Sequence, residues 1–138
     1  TQLQVVAAVR YITHGTYLGI MKEMLEASVS DNMQPLKTRI AKLVALYEEA
    51  LNKVNGDESQ DEHDFLARRL YDMTAEIIMS QLIIADASKA PELFEKSANV
   101  YVRMAEEDVI GKAAYIKAFN VGDLKSFVAD TTAEETEA

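Results

Sequence analysis

The chain has no cysteine, only two prolines and only five glycines in 138 residues. Without cysteine there is no disulfide scaffold and no thiolate metal site, and the composition fits a reducing cytoplasm. So few turn residues argue against a β-sandwich or barrel, which needs a tight turn every ten residues or so. There is no basic segment followed by an apolar stretch at the start, hence no visible signal peptide. The longest strongly apolar run, residues 77 to 85, is too short to span a bilayer, and Ser80 and Gln81 interrupt it. No basic face offsets the net charge of −9, which argues against a nucleic-acid footprint.

The negative charge is concentrated. Asp57, Glu58, Asp61, Glu62 and Asp64 crowd one short segment, and Asp130, Glu134, Glu135 and Glu137 crowd the C-terminus. The remaining acids balance the 14 lysines and arginines, so the body of the chain is neutral. Such clusters serve solubility, and the Thr-, Ala- and Glu-rich residues 129–138 read as a flexible acidic tail.

About half of the residues are apolar, enough for one modest core. Their spacing is helical throughout. Val5, Val9, Ile12, Thr16, Ile20 and Met24 recur every three or four residues and predict a helix over 3–29. Pro35 suits the first turn of a second helix over 35–54, whose stripe is Leu36, Ile40, Leu43, Tyr47, Leu51 and Val54. Asn55-Gly56 should end it through the left-handed conformation. Ser59 or Asp61 is placed to cap a third helix over 64–87, with Leu66, Leu70, Met73 and Ile77 on its inner face. Over 77–85 the apolar surface broadens, which predicts the most buried segment and contact with more than one partner. Pro91 breaks the chain. A fourth helix over 91–118 then carries Phe94, Ala98, Tyr101, Ala105, Val109, Ala113 and Ile116, and Leu124, Phe127 and Val128 are placed to fold back. Short connections make neighbours antiparallel, so the expected fold is all-α, an up-and-down four-helix bundle. Residues 1–128 form a single domain in this reading, with 129–138 as the tail.

Candidates for chemistry are few. A carboxylate-bridged di-metal bundle needs Glu-x-x-His on two helices. Tyr11 and Gln60 precede His14 and His63 by three, so the motif is absent. Asp61-Glu62-His63-Asp64 has ligand-type residues, but contiguous positions on a helix diverge. His14 lies beside the first stripe and reads as a partly buried, satisfied histidine. Gly15 and Gly19 have the spacing of a close helix contact, with a ligand pocket as the alternative. Glu106, Glu107 and Asp108 resemble an acid–base group, yet neighbours on a helix splay by about 100°. Asp108 with Lys112 and Arg103 with Glu107 are better read as surface pairs four residues apart. The six methionines read as core filling rather than a binding groove. No phosphate-binding or dinucleotide-binding glycine motif is present. No catalytic, cofactor-binding or metal-binding residue is assigned.

The sequence LARRLYDMTAEIIMSQLIIADA, residues 66–87, followed by PELFEKSANVYVRMAEEDVIGKAAYIKAF, residues 91–119, resembles the C-terminal helical extension of bacterial acyl-CoA dehydrogenases. It is most similar to the very-long-chain-like branch of Bacteroidetes type, and the resemblance covers mainly Phe65 to Leu124. It implies a parent enzyme that oxidises an acyl-CoA to a trans-2-enoyl-CoA with FAD, using a glutamate base in a preceding core. No motif of that core is matched here, so no catalytic glutamate is carried over and FAD is expected only in the parent. The implied partner is the catalytic core, with self-association into a homo-oligomer. The acidic linker weighs against attachment to anionic membranes. The alternatives are a free-standing interaction module, such as a dimeric scaffold or adaptor, and a small-ligand-binding bundle near Gly15 and Gly19. The first reading predicts an exposed apolar patch, the second a symmetric interface and the third an enclosed pocket.

Overall fold

The computed structural model describes residues 14–56 and 60–119. Four α-helices are present, with no strand among the described residues: α1 Thr16–Leu25, α2 Gln34–Asn55, α3 Gln60–Lys89 and α4 Pro91–Ala118. A single 3₁₀ turn, Asp31–Met33, leads into α2. The three long helices pack against one another pairwise, and the shorter α1 lies against α2 and α3. Helices α2 and α4 run in the same direction. Arg39 faces Glu106 near the start of the pair, and Lys53 faces Ile116 near its end. Helix α3 returns between them. The all-α, four-helix architecture expected from the sequence is the one observed.

Proline marks two helix starts as anticipated. Pro35 and Pro91 both sit in the first turn, where a missing N–H costs nothing. The break between α3 and α4 is a single residue, Ala90, with φ −137° and ψ 69°. This tight reversal sets the two longest helices side by side.

The core follows the predicted stripes closely in α2 and α3. Leu36, Ile40, Leu43, Tyr47, Leu51 and Val54 are all buried, and so are Leu66, Leu70, Met73 and Ile77. From α4 come Ala98, Val102, Ala105, Val109, Ala113 and Ile116. Its large apolar residues at the start of the stripe behave differently, since Phe94 lies at the surface. Each fully buried Leu, Ile or Val contributes about 1.5–3 kcal/mol. Burial of this kind, rather than helix propensity, holds the bundle together.

Four expectations need correction. Helix α1 starts at Thr16 after a turn at His14–Gly15, and Gly15 adopts φ 77°, which only glycine reaches without strain. Its inward face is Met21, supported by Tyr17, Leu18 and Leu25, rather than the Thr16–Ile20–Met24 row. The row was extrapolated in register from residues 5–12 across Gly15, where the described chain makes a turn. Gly56 ends α2 with φ −80°, so the closure is right-handed. The 77–85 segment is not uniformly buried, because Met79 and Leu82 face outward. The helix over 3–13, the Ser59 cap, the fold-back of Leu124, Phe127 and Val128, and the 129–138 tail all lie outside the described residues.

Polar groups tie the ends of the bundle. Lys37 Nζ donates to the Ala27 carbonyl at 2.7 Å, and the Ser30 N–H donates to Ser88 Oγ at 3.0 Å. Gln81 Nε2 donates to the Met21 carbonyl at 2.9 Å, satisfying an α1 acceptor inside the core. Thr74 and Tyr47 hydroxyls share a buried bond of 3.0 Å across α2 and α3. Burial raises the Tyr47 phenol above its ordinary pKa and keeps it neutral. Among the described residues, no helix is long and apolar enough to cross a membrane.

Candidate functional site

The seam between α3 and α4 gathers most of the unusual electrostatics. Glu76 on α3 faces Asp108 and Lys112 on α4, with Asp72 one turn away on its own helix. Burial first, and then hydrogen bonding and repulsion from Asp108, raise the Glu76 carboxyl to about 7. One of its oxygens, Oε2, is enclosed and has no hydrogen-bond partner. Asp108 moves the opposite way. Its carboxylate is held below the ordinary range by the Glu76 hydrogen bond and by Lys112, whose Nζ lies 2.5 Å from it. The proton therefore resides on Glu76 and the negative charge on Asp108. Lys112 rises in turn through its bond to Asp108. Tyr101, on the same seam, is raised by burial and by the nearby Glu76 charge.

One helical turn toward the end of α4 the seam becomes aromatic. The Arg69 guanidinium lies 3.8 Å from the Tyr115 ring centre and 5.5 Å from that of Phe65. Phe65 stacks on Phe119 with centroids 5.3 Å apart. Beside this cluster, Lys53 Nζ donates to three carbonyls at the end of α4: Ile116 at 2.6 Å, Lys117 at 2.5 Å and Phe119 at 2.6 Å. A helix C-terminus leaves its last carbonyls unpaired and carries a partial negative charge, so a lysine there satisfies both.

Sequence reasoning located part of this. The Asp108–Lys112 pair is present as expected. Arg103 and Glu107 are not paired; Glu106 instead meets Arg39 of α2 at 3.4 Å. Glu106, Glu107 and Asp108 do splay, toward α2, solvent and α3 respectively. Glu76 was missed. Its signal was a lone carboxylate within the apolar run TAEIIMSQ, four residues after Asp72. His14 is exposed rather than partly buried. His63 Nδ1 lies 3.9 Å from Asp64, and no group of three or more metal-type side chains forms among the described residues. At Gly15 and Gly19 an added Cβ would meet nothing within 4 Å, so neither glycine serves a close helix contact. Met21, Met33 and Met73 fill the core, whereas Met79 and Met104 are exposed.

Among the described residues the concave surfaces include open grooves. One runs along Arg68, Asp72, Glu107, Gly111 and Tyr115, beside the Asp108–Lys112 pair. Another, between Ile83 and the α4 residues Lys96, Val100, Tyr101 and Met104, is mostly apolar. What the site does chemically is join two helices: a shared proton and an ion pair at one level, an arginine between aromatic rings at the next.

Together these features define an all-α domain of packed helices, with polar and aromatic contacts joining α3 to α4. The sequence profile described as Acyl-CoA dehydrogenase C terminal matches residues 13–124. The chain belongs to that family. Its structure is similar to the crystal structure of an acyl-CoA dehydrogenase family protein from Porphyromonas gingivalis, with a TM-score of 0.76 and 32% sequence identity. The similarity covers 83% of this chain and 98% of that one. No curated protein gives a significant match.

Proposed function

We propose that this chain is the non-catalytic C-terminal accessory domain of a FAD-dependent acyl-CoA dehydrogenase, and that it stabilises or assembles the catalytic core. The observation that carries this reading is the outer face of α3. Tyr71, Met79 and Leu82 are 52%, 50% and 47% exposed on a helix whose opposite face is fully packed. A helix apolar on two faces is built for two partners, and only one of them lies within the bundle. The breadth of the 77–85 run has this meaning: the second partner is the rest of the enzyme. Residues 1–128 form one bundle in this reading, with 129–138 as a tail, in a cytoplasmic and self-associating protein.

Dehydrogenation needs a held flavin, a positioned thioester and a base aligned to the α-carbon. Glu76 titrates near neutrality, but its carboxyl is tied into the seam by Asp108 and flanked by Lys112. FAD and the catalytic glutamate are therefore assigned to the parent core and to no residue of this segment. The test is to add FAD and an acyl-CoA to the purified chain and to follow flavin absorbance. No stoichiometric binding is expected. Flavin binding with acyl-CoA-dependent bleaching refutes the accessory reading. In the parent enzyme, Met79→Glu with Leu82→Glu is expected to lower thermal inactivation temperature while the isolated bundle keeps its helicity.

A further inference from the structure

Helices α2 and α4 leave a groove of about 510 Å³ between them. Its floor is made by small side chains, Ala50 of α2 and Ala114 of α4, and its far end by Leu46 and Ile110. Ile110 is 48% exposed there. A gap of this kind leaves the apolar atoms that line it without contacts on one side. Lys53 and Lys117 stand at the near end, and Glu49 on the α2 rim.

The chain leaves α4 at the mouth of this groove. Phe119 follows the last helical residue, and its carbonyl accepts from Lys53 Nζ, a side chain that lines the groove. Its backbone is extended, at φ −67° and ψ 138°, so the helical path stops. Beyond it the sequence reads Asn-Val-Gly-Asp-Leu-Lys-Ser-Phe-Val, residues 120–128. Leu124, Phe127 and Val128 stand at steps of three and four, the spacing of one apolar face on a single helical turn.

We propose that residues 124–128 dock in the α2–α4 groove of their own chain, running back from the end of α4 and placing Phe127 between Leu46 and Ile110. The lengths agree. Ala114 lies five positions before Phe119, about 7.5 Å along the axis at 1.5 Å per residue. Residues 120–123 span about 13 Å when extended, enough to reverse and set Leu124 over Ala114. One turn from Leu124 to Val128 then covers about 6 Å, which carries it to Ile110. The charges agree in the same register. Asp123 falls at the Lys117 end, and Lys125 falls beside Glu49. Neither Lys117 nor Glu49 has an ion-pair partner among the described residues.

The chain has no cysteine, so Ser126→Cys provides one attachment point for a nitroxide, off the apolar face. The label is expected to broaden the amide NMR signals of Ala50, Ala113 and Ala114. Phe127→Asp in the labelled chain should abolish the broadening and speed amide exchange at 124–128 about tenfold or more, as for a local opening. Ala114→Glu, at an exposed position, should do the same by filling the groove, with circular dichroism to confirm that the bundle is folded. Lys117→Glu should weaken the broadening, and Lys117→Glu with Asp123→Lys should restore it. Broadening that is absent, or that falls on the outer faces of α3 and α4 instead, overturns the proposal. So does broadening that passes between copies when nitroxide-labelled and isotope-labelled chains are mixed, which makes the occupant another copy's tail. A charge swap that fails to rescue overturns it as well. None of these results bears on flavin binding or on the α3 face, so the accessory reading stands or falls separately.

Discussion

Replacing Glu76 by glutamine should stabilise this protein, and only above neutral pH. The folded-state carboxyl is raised from its ordinary 4.5 to about 7, so the folded chain holds a proton that the unfolded chain has released. The sign follows from linkage: the Glu76 contribution is fully present below pH 4.5 and is lost as pH rises through about 7. Above that, Glu76, Asp108 and Asp72 present three carboxylates to one lysine. Glutamine is neutral at every pH, and its amide donates to Asp108 as the protonated acid does. The full rise corresponds to about 3.4 kcal/mol between protonation states. Glu76 is only half-buried, and solvent screening reduces this to about 1 kcal/mol. Urea unfolding of both proteins at pH 5.5 and pH 8.5 measures it. The variant should match the wild type at the lower pH and exceed it by about 1 kcal/mol at the higher. Equal stability at both values, or a glutamine variant weaker at pH 8.5, refutes the shared-proton description of this seam.

Two further perturbations test the packing. Lys53→Met keeps the aliphatic stem but removes a charged donor from three carbonyls, and should cost about 1–2 kcal/mol in the same assay, with increased amide exchange in the last turn of α4. Leu70→Ala, at a fully buried position where α3 meets the core, should cost about 2–5 kcal/mol in urea midpoint terms without changing the helical spectrum of the folded form.

The parts of this fold legible in the sequence are those governed by one repeat. In α2 and α3 the three-and-four spacing of large aliphatic residues is uninterrupted, and every residue of those stripes is buried. The starts of α2 and α4 were readable because proline has one physical meaning at a helix start. The described part of the first stripe, Thr16, Ile20 and Met24, failed beside Gly15, a left-handed residue that sits just before α1. Leu93, Val100 and Met104, exposed on the outer side of α4, were passed over for the opposite reason. Helix α4 is apolar on two sides, so periodicity selects the alanine-rich inner row as readily as the outer one. The seam chemistry was the least accessible. Glu76 and Asp108 are 32 positions apart, and Lys53 reaches Phe119 across 66. Only the tight reversal at Ala90 and the return of α4 alongside α2 bring these groups together.

That last distance has a consequence in time rather than in energy. The Lys53 contact joins residues 66 positions apart and requires the end of α4 to be formed and docked on α2 before any of its three hydrogen bonds exists. Contacts of such long range carry a large loop-closure cost, and we expect this one to form late, after the transition state has committed the helices to one another. A late contact leaves the folding rate almost untouched and acts on escape from the native state. Lys53 thus works as a latch: it sets how long the assembled bundle lasts more than how readily it forms.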